Sequence, residues 1–264
     1  MDLSRTRLVL RERAVIDVLD LALRFLVEHA GAYAKTSLLV LPPFILASVA
    51  VAHFGGWLAT WLFAIFAGTL AGAPFTVLAS RLVFEDDVQL VRTIKHALQL
   101  TPRLFALRVV TFVVGGAGLA FLLFPGIWFL AWTLFVIEVA LLERATARGA
   151  ISRSMRIVGR ESSEAVLGLL LLSVLTVVAV VSADIGVRAI ISALLESRAP
   201  DPIWEDGGSV LGLLGFWLFV PYAATARFFV YLDVRTRSEG WDIQTRFVAI
   251  ATRAASVDLA RSAA

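Results

Sequence analysis

Residues 125–164 read PGIWFLAWTLFVIEVALLERATARGAISRSMRIVGRESSE, and within them an apolar run passes directly into a strongly basic helix. From 127 to 142 the only charged residue is Glu138, and Pro125-Gly126 supplies a turn from the apolar run before it. Beyond it, Arg144, Arg148, Ser152, Arg156 and Arg160 recur every fourth residue, with Ala147, Ile151, Met155 and Val158 on the other side. This spacing predicts a helix lying on a membrane surface, guanidiniums toward water and phosphate and methyl groups toward the bilayer.

The rest of the chain repeats that unit. Hydrophobic residues make up 59% of the 264 and charged residues 17%, which places the chain in a bilayer rather than among soluble domains. The absence of cysteine excludes disulfides and thiolate-ligated metals. The formal charge is only +3, so nucleic acid is a poor partner, and the placement of the charges carries more information than their sum. The first residues, MDLSRTRLVLRERAV, lack an apolar core of the roughly 7–15 residues a secretory signal needs, so no removable leader is expected.

In order, 13–30 reads as an amphipathic helix, with Arg13, Asp17, Asp20, Arg24 and Glu28 opposite Val15, Ile16, Leu19, Leu23 and Leu26. Residues 36–80 contain no Asp, Glu, Lys or Arg and predict two spans, 34–52 and 57–84, turned at His53, Gly55 and Gly56. A short surface helix capped by Asp86 or Asp87 follows to Thr101, and Pro102 restarts a third span over 103–124, with Arg108 snorkelling toward its end. The fourth span is the opening stretch. Because residues 109–137 are the whole uncharged run here, against the ~40 that two full crossings want, these two spans are expected as tilted crossings. A fifth span covers 165–183, followed by an interfacial line of Asp184, Arg188, Ser192 and Glu196, and a sixth covers 208–226, with Gly212 and Gly215 permitting close packing. A last surface helix is expected at 247–259.

The fold expected is therefore all-α, a polytopic transmembrane bundle of six spans with amphipathic cytoplasmic interfacial helices. It forms one integral membrane domain over 1–264: a cytoplasmic amphipathic helix (1–33), the bundle (34–229) and a cytoplasmic basic tail (230–264). Six spans leave only Arg188 and Arg198 of the 24 Lys and Arg on the outer side, so both termini are expected in the cytoplasm of a bacterial inner membrane.

Three stretches, AVIDVLDLALRFLVEHAGAY at 14–33, the unit at 125–161 and YLDVRTRSEGWDIQTRF at 231–247, resemble the glycerophosphodiester phosphodiesterase membrane-domain family and its YciC-like relatives. The last is the most specific, through Tyr231, Asp233, Arg235, Arg237, Glu239, Gly240, Trp241 and Asp242; Glu138 departs from the pattern. The resemblance implies a membrane module without the catalytic barrel of the fused enzymes, whose His-Arg-Gly start is missing here.

For the candidate sites both readings stay open. Glu138 is a proton or ion site, or the partner of a buried Arg108, or a structural hydrogen-bonding group. Arg144, Arg148, Arg153, Arg156 and Arg160 either bind phospholipid head groups or only fix topology. Asp233, Arg235, Arg237, Glu239, Gly240, Trp241 and Asp242 form a salt-bridged cap or a docking turn. His29, His53 and His96 are too dispersed for a shared metal, and no cofactor is expected. No Ser-His-Asp set, P-loop or HExxH occurs, so a non-enzymatic scaffold or lipid- or partner-binding module is expected. Its partners would be anionic membrane lipids, and a membrane protein or a second copy of the chain. The alternative is a small transporter or channel using Glu138 and Arg108, which should enclose a polar cavity at mid-bundle, whereas a scaffold should be packed solid.

Overall fold

The computed structural model describes residues 14–85, 89–121, 123–143, 145–160, 162–195 and 200–239. Every regular element among them is a helix: α1 (Val15–Glu28), α2 (Ala30–Phe84), α3 (Leu90–Phe121), α4 (Leu123–Trp132), α5 (Val136–Leu142), α6 (Ala147–Arg160), α7 (Ser162–Leu195), α8 (Ile203–Asp206) and α9 (Val210–Glu239). Five helical stretches are long and apolar enough to cross a membrane, as a multi-pass membrane protein requires: α2, α3, Phe124–Leu142, Ser162–Ala193 and Val210–Ser238. Their outward residues are apolar, with Leu38, Leu46, Leu58, Val113 and Leu218 each more than 60% exposed, the reverse of a soluble surface.

α2 is 55 residues long, far more than a ~30 Å hydrocarbon layer needs at ~1.5 Å per residue. It breaks at Gly56, whose φ of 74° and ψ of 176° lie in a region essentially reserved for glycine. The break reverses the chain. Before it, the Tyr33 and Thr225 hydroxyls are 2.8 Å apart and Trp217 Nε1 donates to Ser48 Oγ at 3.1 Å. After it, Gly68 lies against Phe216 and Gly72 against Ala224. Contacts thus move from 225 to 217 along the first half and from 216 to 224 along the second, so the halves run in opposite directions beside α9.

α9 is the central mast. Of its most apolar 18-residue window 61% is buried, against 22% for α7 and for α3, and it packs on α7, α2, α1 and α6. Close approach to α7 depends on Gly215, where a Cβ would lie 2.4 Å from Ala183 Cβ and 2.9 Å from the Ala179 carbonyl. Trp217, Phe228 and Tyr231 supply its largest fully buried side chains.

The structure differs from the sequence expectations at several boundaries. α3 is one helix through Pro102, because Leu104 and Leu107 beyond the proline are buried. The fourth span is bent, α4 and α5 being separated by a turn at 133–135. α7 continues past Ala183 to Leu195, and α9 past Ala226 to Glu239, so part of the expected basic tail is helix in the bundle. α1 lies across α9, with the Tyr222 hydroxyl on the Leu19 carbonyl and the Phe25 and Phe229 rings edge to face. Its buried stripe is Val15, Val18, Leu19, Ala22 and Phe25; Ile16 and Leu23 stay exposed, because only the narrow stripe spaced by three and four fits the mast. The apolar side of α6 likewise faces protein rather than bilayer, with Ala150, Ile157 and Val158 buried. The 86–87 cap, residues 196–199 and the 247–259 helix lie outside the described residues.

Candidate functional site: an intramembrane cavity and a charged cap

Glu138 is fully buried on α5, and its partner is Arg227 of α9, whose Nε donates to Glu138 Oε1. The expected partner, Arg108, is engaged elsewhere. From α3 its Nη2 donates to the Ile65 carbonyl at 2.8 Å and its Nε to Phe66 O at 3.3 Å, while its guanidinium carbon sits 5.4 Å from the centre of the Phe112 ring. Helix carbonyls accept such bonds because each keeps a second lone pair. Arg108 therefore does not snorkel to the span end but is held inward at the level of Ile65.

Arg108 and Arg227 meet at a cavity of about 360 Å³ between α2, α3, α7 and α9. Gly68 and Gly72 of α2 and Ala223 and Ala224 of α9 form much of its wall, and their small size is what leaves the space. Ser173 and Thr176 of α7 complete it, each hydroxyl donating back to its own helix, to Leu169 O at 2.8 Å and Leu172 O at 2.7 Å. The charge around this space is two guanidiniums against one carboxylate.

At the end where α9 finishes, Glu143 is the hub of a second cluster. It accepts from the Tyr231 hydroxyl at 2.8 Å and Arg153 Nε at 3.2 Å, with Arg235 Nη1 at 3.3 Å. Arg237 pairs with Asp233 at 3.0 Å and reaches Glu164 at 3.7 Å, and Arg160 donates to the Ser238 carbonyl at 2.7 Å. Asp233, Arg235 and Arg237 thus ride on the last turns of α9 and form a salt-bridged cap joining α5, α6, α7 and α9. Of the five arginines assigned to head groups, Arg153 and Arg160 bond within the protein, whereas Arg148 and Arg156 are exposed and pair with no described residue. Arg144, Gly240, Trp241 and Asp242 lie outside the described residues, as does the Glu239 side chain.

At the opposite end a fully buried Asp184 anchors the 200–209 connection. It accepts from Arg188 Nη2 at 3.1 and 3.3 Å, from the Ser209 hydroxyl, and from the Ile203 amide at 3.4 Å. Sequence reading placed Asp184 on an exposed interfacial line and left Arg227 outside the sixth span. The available signal was the same for both: each is a single charge followed by further apolar residues, Ile-Gly-Val in one case and Phe-Phe-Val-Tyr in the other. His29 is used locally, its ring bonded to the Phe25 carbonyl at 2.9 Å.

No protein-family model matches the chain, and no curated protein and no solved structure matches it either.

Proposed function

We propose that the chain is a six-crossing protein of the bacterial inner membrane, both termini cytoplasmic, that binds anionic lipid and catalyses no reaction. The reversal at Gly56 supports counting α2 as two crossings, and the Lys and Arg distribution then supports the orientation. The likeness to the glycerophosphodiester phosphodiesterase membrane domain belongs to the same proposal and rests on the residues quoted for it.

One observation carries the lipid reading. α6 buries Ala150, Ser154, Ile157 and Val158 in the protein, so Arg148 and Arg156 on its other side are fixed outward. Outward guanidiniums at the edge of an apolar belt are placed for phosphate. Each basic group near an anionic surface contributes ~1 kcal/mol, so replacing both Arg148 and Arg156 with Gln is expected to weaken retention of anionic lipid by roughly thirtyfold in native mass spectrometry. Unchanged retention would return these arginines to setting topology alone.

Orientation is checked by single cysteines in this cysteine-free chain. Cysteines replacing the exposed His53 and Asp206 should react with an impermeant thiol reagent on intact cells, and those replacing Gln99 and Ser152 should not. Labelling at Ser152 from outside would overturn the six-crossing arrangement.

The cavity favours a second reading, a small transporter or channel, since a space between the helices that holds charged side chains is what such a protein needs, although most of this lining is apolar. In that case Arg108 and Arg227 face the path, and Glu138 acts behind Arg227. Anion flux in liposomes that disappears with the Arg227 charge would support it.

A further inference from the structure

We propose that the cavity between Arg108 and Arg227 is a pocket for the oxyanion head group of an anionic amphiphile, a phosphate or carboxylate, reached sideways between α2 and α7. The proposal rests on the membrane-embedded, lipid-binding reading and names the ligand chemistry inside the bundle rather than at its surface.

Charge is the first argument. Two guanidiniums line one cavity, and Glu138 neutralises one of them. A surplus positive charge among apolar helices is costly unless an anion joins it. Donor geometry is the second. Arg227 uses Nε on Glu138, leaving Nη1 and Nη2 without partners among the described residues, and Arg108 uses Nε and Nη2 on carbonyls, leaving Nη1. Both side chains line the cavity, with Arg227 Nη2 beside Gly72 in its wall. Such guanidinium edges match the oxygens of phosphate and carboxylate, and the pair with Glu138 holds Arg227 in place before any ligand arrives. The Ser173 and Thr176 hydroxyl protons are committed to their own helix, so recognition falls to the arginines.

The route follows from the walls. α2 and α7 both pack on α9 but barely touch each other, while α4 bridges α3 and α7. The gap between α2 and α7 is lined by Ile65 of α2 and Val177 of α7, which are 49% and 61% exposed. An apolar mouth before a cationic interior fits a molecule with an anionic end and a hydrocarbon end. At ~30 Å³ per water, the cavity has the volume of about a dozen waters, room for a head group with its chains left outside.

The test titrates the full-length purified protein with short-chain phosphatidylglycerol, short-chain phosphatidylcholine and inorganic phosphate, following bound species by native mass spectrometry. Two cavity variants are compared with wild type. Glu138→Gln combined with Arg227→Gln removes the Arg227 guanidinium together with its counter-ion, leaving Arg108 as the one cation in the lining and an amide pair in place of the ion pair, and Val177→Trp blocks the mouth without touching any charged group. One phosphatidylglycerol bound by wild type in preference to phosphatidylcholine, at least about tenfold weaker in both variants, is the expected result. Inorganic phosphate bound by wild type and by Val177→Trp, but lost in the double variant, would keep the oxyanion pocket and overturn the lateral amphiphile. Phosphatidylglycerol held equally by wild type and both cavity variants, yet lost with Arg148→Gln and Arg156→Gln, would overturn the pocket and leave surface lipid binding standing. No phosphatidylglycerol on wild type would overturn both.

Discussion

Glu138→Gln is expected to destabilise the bundle by about 3–5 kcal/mol, the cost of breaking a buried ion pair from one side. The change strands the Arg227 guanidinium beside Arg108, and a guanidinium cannot shed its proton to escape. Arg227→Gln should cost less, because a carboxyl stranded among apolar side chains can take up a proton and become neutral. The double variant should recover most of the loss, since two amides can still bond across the same gap. Combining Glu138→Gln with Arg108→Gln should recover less, since it takes a second cation away from Arg227 but forfeits the Arg108 bonds to the Ile65 and Phe66 carbonyls. Reversible unfolding in mixed micelles with rising SDS reads all four values, and a double-mutant cycle between 138 and 227 gives the coupling. Coupling near zero there, with rescue by Arg108→Gln, would mean that Arg227 is not the partner.

Asp184→Ala is expected to cost about 3 kcal/mol, and its effect should be local as well as global. The carboxylate is fully buried and holds Arg188, the Ser209 hydroxyl and the Ile203 amide together. Arg188 is itself only 19% exposed, so losing Asp184 leaves a sheltered cation without its carboxylate and loosens the 200–209 connection, which keeps the Arg188 contacts to the Pro200 carbonyl and the Trp204 ring but loses those to Ser209 and Ile203. Limited proteolysis within 200–209 should therefore accelerate well before the bundle opens, whereas the Glu138 variants should leave that segment protected. Asp184→Asn keeps an acceptor and should cost less. Equal protease resistance in wild type and Asp184→Ala would show that the carboxylate does not anchor this connection.

The all-helical architecture was legible because long runs such as 36–80 contain no charge, and a chain that apolar must satisfy its backbone internally. The break at Gly56 was legible from His53, Gly55 and Gly56, and the 147–160 helix from its fourfold arginine spacing. What sequence could not show is where a span ends when a charge inside it has a distant partner. Arg227 and Asp184 look like the first residues outside the bilayer until Glu138 and Ser209 are seen against them. The same blindness assigned Glu138 to Arg108, its neighbour along the chain, because the helix that truly answers it is 89 residues away. Pro102 misled in the other direction: its effect on α3 was read from the residue alone, while burial of Leu104 and Leu107 kept the helix going. The cavity had no linear signature, since Gly68, Gly72, Arg108, Thr176 and Arg227 come from four separate helices.

The mast has a consequence for how the molecule is made. α9 is the last of the described helices, yet its partners are the earliest: Leu19, Tyr33 and Ser48 lie 203, 192 and 169 residues before the residues they touch. At a synthesis rate of roughly 5–20 residues per second, Glu138 emerges some ~4–18 s before Arg227. During that interval the upstream helices have entered the bilayer with no axis to gather on, and an acidic side chain among them has no counter-ion. Closure of the bundle thus awaits synthesis of α9, and a nascent chain stopped short of Arg227 would display a carboxylate that the closed bundle hides, a mark by which membrane quality control can tell it from the folded molecule.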